Sequence, residues 1–271
     1  MAVEVVSSGE QMLQNFRALV YGPPGHGKTF SCVTASERCP ADFTHLLGKD
    51  GRNRAPTALD DMLWIAFDSG AIDGFNQQKL SVPMMDLSHV GENLMTGLND
   101  VIDAIKKLVA AGGLRTIVID TISALDEIAL VYWRNKGFEK WDLYGNLRIT
   151  HMRFAMALKA IRANILFLAH AKAAMEPDDK NKVGQNKIAA AGLPPIYPAI
   201  TGDSLNHYRR DASFILPLIR AREGGVDGRW FYTTQAKGFE AKTRFLLNEV
   251  EPADWRVILG KARNVPLAEG N

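Results

Sequence analysis

Arg17-Ala-Leu-Val-Tyr-Gly-Pro-Pro-Gly-His-Gly-Lys-Thr29 is the stretch from which the rest of the chain is read. A short apolar run enters Gly22-x-x-x-x-Gly27-Lys28-Thr29, the phosphate-binding P-loop pattern, and helix-forming residues follow. Gly22, Gly25 and Gly27 accept backbone angles that a Cβ resists, so successive amide N–H groups can turn inward around a phosphate. Lys28 supplies a point charge for β and γ phosphates, and the Thr29 hydroxyl is placed to ligate Mg²⁺. The helix that follows points its positive end at the same anion. His26 fills a position the pattern leaves free and is expected to face solvent.

Working outward, the next apolar run is Met62-Leu-Trp-Ile-Ala-Phe67, closed by Asp68-Ser-Gly. That is the profile of a buried parallel strand whose C-terminal edge opens into a site. Leu94, Leu98, Val101, Ile105 and Leu108 recur at helical spacing and predict one apolar helix face ending at Gly112-Gly113. Thr116-Ile-Val-Ile-Asp120 follows, a strand closed by an acid, which beside a P-loop reads as the Walker B carboxylate near the metal. A further strand, Asn164-Ile-Leu-Phe-Leu-Ala-His170, ends in a histidine. It either contacts the γ-phosphate and reports its presence or satisfies a neighbouring loop.

Between these lies a second kind of signal. Residues 132–144 hold Trp133, Arg134, Lys136, Lys140 and Trp141 with further aromatics. Stacking platforms among cations suit single-stranded nucleic acid. A helix end whose aromatics pack on the core accounts for them equally well. Residues 146–163 predict a helix with Leu147, Phe154, Leu158 and Ile161 on one face. Residues 171–203 form a long segment without periodicity. Two strands at 213–218 and 229–234, joined by turn-formers, come next, with Pro217 pointing to an edge or bulge in the first. The P-loop helix is expected to run from 29 to 38, ahead of Pro40.

With 271 residues, 46% hydrophobic and 23% charged, the chain can bury a sizeable core. A net charge of +2 announces no nucleic-acid binder by charge alone, so any such site is local. Two cysteines, Cys32 and Cys39, are too few for a disulfide framework and suit a reducing compartment. No run approaches the roughly 18 apolar residues of a membrane span, and residues 1–16 lack the regions of a signal peptide, so a cytoplasmic protein is expected.

The order of these pieces resembles the RecA-type ATPase core. In particular Tyr21-Gly-Pro-Pro-Gly-His-Gly-Lys-Thr29, Ile117-Val-Ile-Asp-Thr-Ile-Ser-Ala-Leu125, Leu168-Ala-His170, Pro198-Ala-Ile-Thr-Gly202 and Ala241-Lys-Thr-Arg244 resemble the phage-encoded minimal RecA-like ATPases, some of which anneal or recombine single strands. The resemblance implies an α/β RecA-like P-loop NTPase core over residues 1–250. A mostly parallel central sheet would be flanked by helices, with antiparallel strands toward the C-terminus and a peripheral tail at 251–271.

It implies ATP and Mg²⁺ as cofactors, held by Gly22, Pro23, Pro24, Gly25, His26, Gly27, Lys28, Thr29 and Phe30, with Thr29 and Asp120 on the metal. His170 would be the sensor opening a second DNA-binding loop, and residues 132–144 the first loop. Lys242 and Arg244 would reach the γ-phosphate of a neighbouring subunit in a ring or filament. Recombinases of this type carry a catalytic glutamate after the second strand, and here Asp68-Ser69-Gly70 stands instead. Asp68 is then the candidate for orienting water, with Asp73 and Glu127 behind it. The leading expectation is a single-stranded DNA-binding ATPase in a host cytoplasm. The rival is a nucleotide-switched assembly factor that never touches DNA.

Overall fold

The computed structural model describes residues 15–47, 55–68, 70–173, 196–235 and 239–264. In chain order these form β1 (Arg17–Gly22), α1 (Lys28–Val33), β2 (Thr57–Ala58), β3 (Met62–Ala66), α2 (Gly70–Gln77), β4 (Leu80–Ser81), β5 (Met84–Asp86) and α3 (Leu94–Ala111). Then come β6 (Thr116–Asp120), α4 (Ile122–Asn135), α5 (Lys140–Lys159), β7 (Asn164–Ala173), β8 (Ile196–Pro198) and α6 (Asn206–Arg209). The chain continues through β9 (Phe214–Glu223), β10 (Val226–Tyr232), β11 (Lys242–Thr243), β12 (Val250–Pro252) and α7 (Trp255–Asn264).

One sheet runs in the order β12-β10-β9-β1-β7-β6-β3-β5. From β9 to β5 every neighbour is parallel, and β10, β11 and β12 are added antiparallel. This is the α/β fold of P-loop NTPases. Strand β7 lies between the P-loop strand β1 and the acid strand β6, so His170 emerges between the two motifs.

Burial follows the strand period. Leu19 and Tyr21 pack on one face with Ile65, Ile119 and Phe167 and with helices α3 to α5, while Ala18 and Val20 pack on the other with Val118, Leu166 and Trp255. With both faces covered, the strands read as continuous apolar runs, and the polar chemistry is left to their C-terminal ends.

Several expectations are corrected here. Helix α1 stops at Val33 rather than Arg38, because tertiary partners take the next turn's polar groups. Asp61 accepts from Ser36 Oγ and Glu37 N, and Thr34 Oγ1 accepts from Trp255 N at 2.7 Å. Leu108 is 41% exposed and lies outside the buried face of α3. Strand β9 is internal, and Pro217 sits at a seam: β11 pairs with Phe214 and Ile215, whereas β10 takes over from Leu218 onward. A missing N–H is tolerated where the antiparallel neighbour changes.

The expected peripheral tail is also corrected as far as residue 264. It supplies β12 and α7, and Trp255 at 0% exposure packs against Phe16, Phe214 and Phe231. Burying an indole removes about 200 Å² from water, an upper-bound gain of roughly 5 kcal/mol. Residues 1–14 of the expected leader and 265–271 lie outside the described residues.

Candidate nucleotide site

At the C-terminal end of β1 the loop curls as its glycines require. Gly25 and Gly27 take φ of 75° and 95°, left-handed values that a Cβ opposes. Gly22 is held for a different reason, since a Cβ there would meet Leu218 O at 2.4 Å. Lys28 is buried, and its Nζ donates to the carbonyls of Gly22 at 2.9 Å and Pro23 at 3.2 Å. The ammonium therefore sits inside the curl of the loop. Burial lowers its pKa, while Asp120 and Asp68 pull it back up.

His26 corrects the expectation of a solvent-facing loop residue. Its Nδ1 accepts from the main-chain N–H of Arg220 at 3.0 Å, which fastens the P-loop to β9. Burial and the cations Lys28 and Arg220 lower its pKa, so the ring is neutral at pH 7 and free to accept.

The acid strand delivers Asp120 to the same place. Its Oδ2 accepts from Thr29 Oγ1 at 3.4 Å and from Trp64 Nε1 at 3.2 Å. Desolvation, then the neighbouring Asp68, push the carboxyl up to about 7, against the pull of Lys28. A buried carboxylate so poorly neutralised, beside a hydroxyl, fits a hard cation. Among the described residues no cluster of three His, Cys, Asp or Glu could hold a metal by itself. An ion such as Mg²⁺ takes one or two protein oxygens and the rest from phosphate and water, and Thr29 Oγ1 and Asp120 are the oxygens that could supply them.

Asp68 and His170 complete the rim. His170 Nε2 stands 3.9 Å from Asp68 Oδ2, and Asp68 Oδ1 accepts from Gly70 N at 3.1 Å. Strand β7 runs on to Ala173 rather than ending at His170, and Ser123 Oγ accepts from His170 N at 3.0 Å, tying β7 to the start of α4. Thr121 Oγ1 caps that helix by accepting from Ala124 N. His170 Nδ1 is buried with no hydrogen-bond partner among the described residues. Desolvation, with Lys28, lowers the His170 pKa more than Asp68 and Glu127 raise it, so the ring is neutral at pH 7.

Pro24, Gly25, Gly27, Lys28, Thr29, Phe30, Asp68, Asp120 and His170 thus line one cavity of about 440 Å³. Glu127 instead lines a second cavity with Tyr132 and Lys136, and the side chain of Asp73 lies outside the described residues. Arg229 was not found by sequence reading, yet it lines the first cavity from β10. No motif marks an arginine that arrives from an antiparallel strand.

Two groups of expected residues fall elsewhere. Lys242 and Arg244 are absent from this cavity: β11 registers with Ile215 and Phe214, which are level with Leu19 and Ala18, the end of β1 away from its loop. Lys242 Nζ donates to Arg209 O. The expected stacking loop is a tight turn between α4 and α5, since α5 begins at Lys140 rather than 146. Trp133 is spent on structure, its Nε1 donating to Thr150 Oγ1 at 2.9 Å and its ring packed on Tyr132 and Phe138. Arg134, Lys136 and Lys140 are exposed, and Trp141 is 88% exposed. Of the expected second loop, residues 174–195 lie outside the described residues. No helix among the described residues is long and apolar enough to cross a membrane.

A family model described as an AAA domain matches residues 14–245. No curated protein matches the chain by sequence. Among solved structures, the chain is similar to a KaiC-like protein from the hyperthermophilic archaeon Pyrococcus horikoshii, with 13% identity over 80% of this chain and 76% of that one and a TM-score of 0.38.

Proposed function

The chain belongs to the AAA domain family of P-loop ATPases, and from that premise we propose an Mg²⁺-dependent ATPase that binds single-stranded DNA. The meeting of Thr29, Asp120 and Lys28 at one cavity carries the ATPase reading. Thr29 Oγ1 and Asp120 would hold the ion, whose charge offsets that of the phosphates when bound. Lys28 takes the β and γ oxygens in exchange for the loop carbonyls of Gly22 and Pro23. Asp68 orients a water in line with the γ-phosphorus. The water oxygen bonds to phosphorus as the bond to the β–γ bridging oxygen breaks, a water proton passes to an oxygen of the phosphate so formed, and ADP leaves with the electron pair of the broken bond. Neutral His170 senses whether the γ-phosphate is there. Lys242 and Arg244, far from the chain's own loop, act on the nucleotide of a neighbouring subunit in a ring or filament.

What favours DNA is Trp141, an indole held open to solvent beside Lys140, with Lys136 and Arg134 on the preceding helix end. A base stacked on such a ring gains about 1–3 kcal/mol. With the resemblance to phage-encoded RecA-like proteins, this supports a role in phage recombination or annealing, in the host cytoplasm.

The test is titration of a labelled single-stranded oligonucleotide with and without ATP across a range of salt. Binding should weaken steeply as salt rises and fall for Trp141→Ala, whereas Trp133→Ala should chiefly lower the melting temperature. Absence of binding at low salt would turn the reading toward a nucleotide-switched assembly factor.

A further inference from the structure

Arg229 reaches the P-loop from β10. Its guanidinium carbon stands 4.1 Å from the centroid of the Phe30 ring, and a Cβ on Gly27 would come within 2.3 Å of its Nε. It therefore lies against the residues on either side of Lys28 and Thr29 and lines the same cavity.

The position is poorly provided for. Arg229 Nε is buried without a hydrogen-bond partner among the described residues. A guanidinium has five donors and stays protonated, so an unmet one is costly. No ion pair among the described residues includes Arg229. Directly opposite it in the β9–β10 ladder stands Arg220, a second cation with no acidic partner among those pairs. Like charges facing across a strand pair destabilise it. Burial and Arg220 both push the Arg229 pKa down.

The stack on Phe30, whose other face lies against Phe43 at 4.1 Å, offsets only part of this. The strands cannot easily relieve it, because Arg220 N is bonded to His26 of the loop itself. An anion in the cavity would supply what is missing. Lys28 Nζ is turned toward Gly22 and Pro23, and Thr29 toward Asp120, which leaves the phosphates nearer the nucleoside for the side of Gly27 and Phe30.

We propose that Arg229 is a nucleotide-binding residue, its guanidinium pairing with the phosphate chain on the nucleoside side of Lys28, equally in a bound di- or triphosphate. The inference rests on the nucleotide reading of the cavity and adds a contact that survives hydrolysis. Such a contact is uniform binding: it holds substrate and product alike.

The experiment measures ADP and ATP affinity of the full chain, with Mg²⁺, by competition against a fluorescent nucleotide. The proteins are wild type, Arg229→Ala, Arg229→Gln, Arg229→Lys and Lys28→Ala, each checked for an unchanged far-UV spectrum and melting temperature. Arg229→Ala should weaken ADP and ATP by a similar factor, about 10- to 100-fold, with Arg229→Lys intermediate. Arg229→Gln keeps bulk over Phe30 and should lose as much as Ala if charge is what matters; it decides the matter if the Ala protein does not fold. Retention of ADP affinity within about twofold by Arg229→Gln, while Lys28→Ala loses it, overturns the proposal and leaves the cavity reading standing. Loss confined to oligonucleotide binding assigns Arg229 to nucleic acid and also overturns it. Failure of the wild type to bind either nucleotide removes the cavity reading, and the Arg229 assignment with it.

Discussion

Thr29 and Asp120, separated by 91 positions, bring a hydroxyl and a carboxylate oxygen within 3.4 Å of each other, and Trp64 donates to that same oxygen. The contact joins the end of one strand's loop to the end of another strand. It exists because only β7 separates β1 from β6, so that loop and acid converge at the same edge of the sheet. The carboxyl is costly to ionise there, being both desolvated and close to Asp68.

That cost is measurable in the nucleotide-free protein. The folded carboxyl is raised to about 7 from the ordinary 3.8, so the folded state holds the extra proton between those values. Stability therefore falls as pH rises from about 4 to 7, and the penalty is fully present above 7. Asp120→Asn removes the titration. Its melting temperature should exceed that of wild type by a margin that opens above pH 4 and levels off above 7. Each kcal/mol corresponds to about 2–4 °C in a chain of this size. A margin independent of pH would mean that Asp120 ionises freely. Mg²⁺ with nucleotide should favour the carboxylate and release protons near pH 7, a release that calorimetry in buffers of different ionisation heat detects.

Lys28→Ala removes the charge inside the loop. Steady-state ATP turnover should drop by about 100-fold or more, to the limit of detection. Unchanged turnover would refute the assignment of this cavity to hydrolysis.

Asp68→Asn tests the water-orienting role. The variant keeps an oxygen to accept from Gly70 N and fits the same space, but loses the charge facing His170. We expect kcat to fall by about 10²–10⁴ with ATP affinity changed little. A kcat within a few-fold of wild type would pass the role to another residue.

Mixing tests the trans cations. Lys28→Ala subunits retain Arg244, and Arg244→Ala subunits retain the loop, so shared interfaces should recover part of the hydrolysis each variant lacks. No recovery at any mixing ratio would count against a neighbour's cation completing the site. Supplied cations of this kind contribute about 10³–10⁵ in rate in related phosphoryl transfer.

The P-loop, the acid strand and the histidine strand were readable because each is a continuous segment whose chemistry is complete within a few residues. The aromatic stretch at 132–144 was readable only as an even choice between stacking and packing. The structure divided it: Trp133 bonds to Thr150 one helix away, while Trp141 is left exposed among the described residues. Pro217 signalled a break in pairing, but which neighbour ended there depended on strands far along the chain. The tail after 250 looked irregular because α7 is short and polar outside. Its place was set by one buried indole against Phe16 and Phe214.

By itself the sequence determined that this chain binds phosphate at the end of a parallel strand and places an acid opposite. Glycine freedom, a lysine and an apolar run ending in Asp are local properties of the backbone and need no partner to be recognised. Only the tertiary structure decided that Lys28, Thr29, Asp68, Asp120 and His170 share one cavity with Arg229, and that Lys242 and Arg244 do not. The reason is that burial, charge pairing and reach are set by strand order, which carries residues far apart in the chain to a common edge or to opposite ends of the sheet.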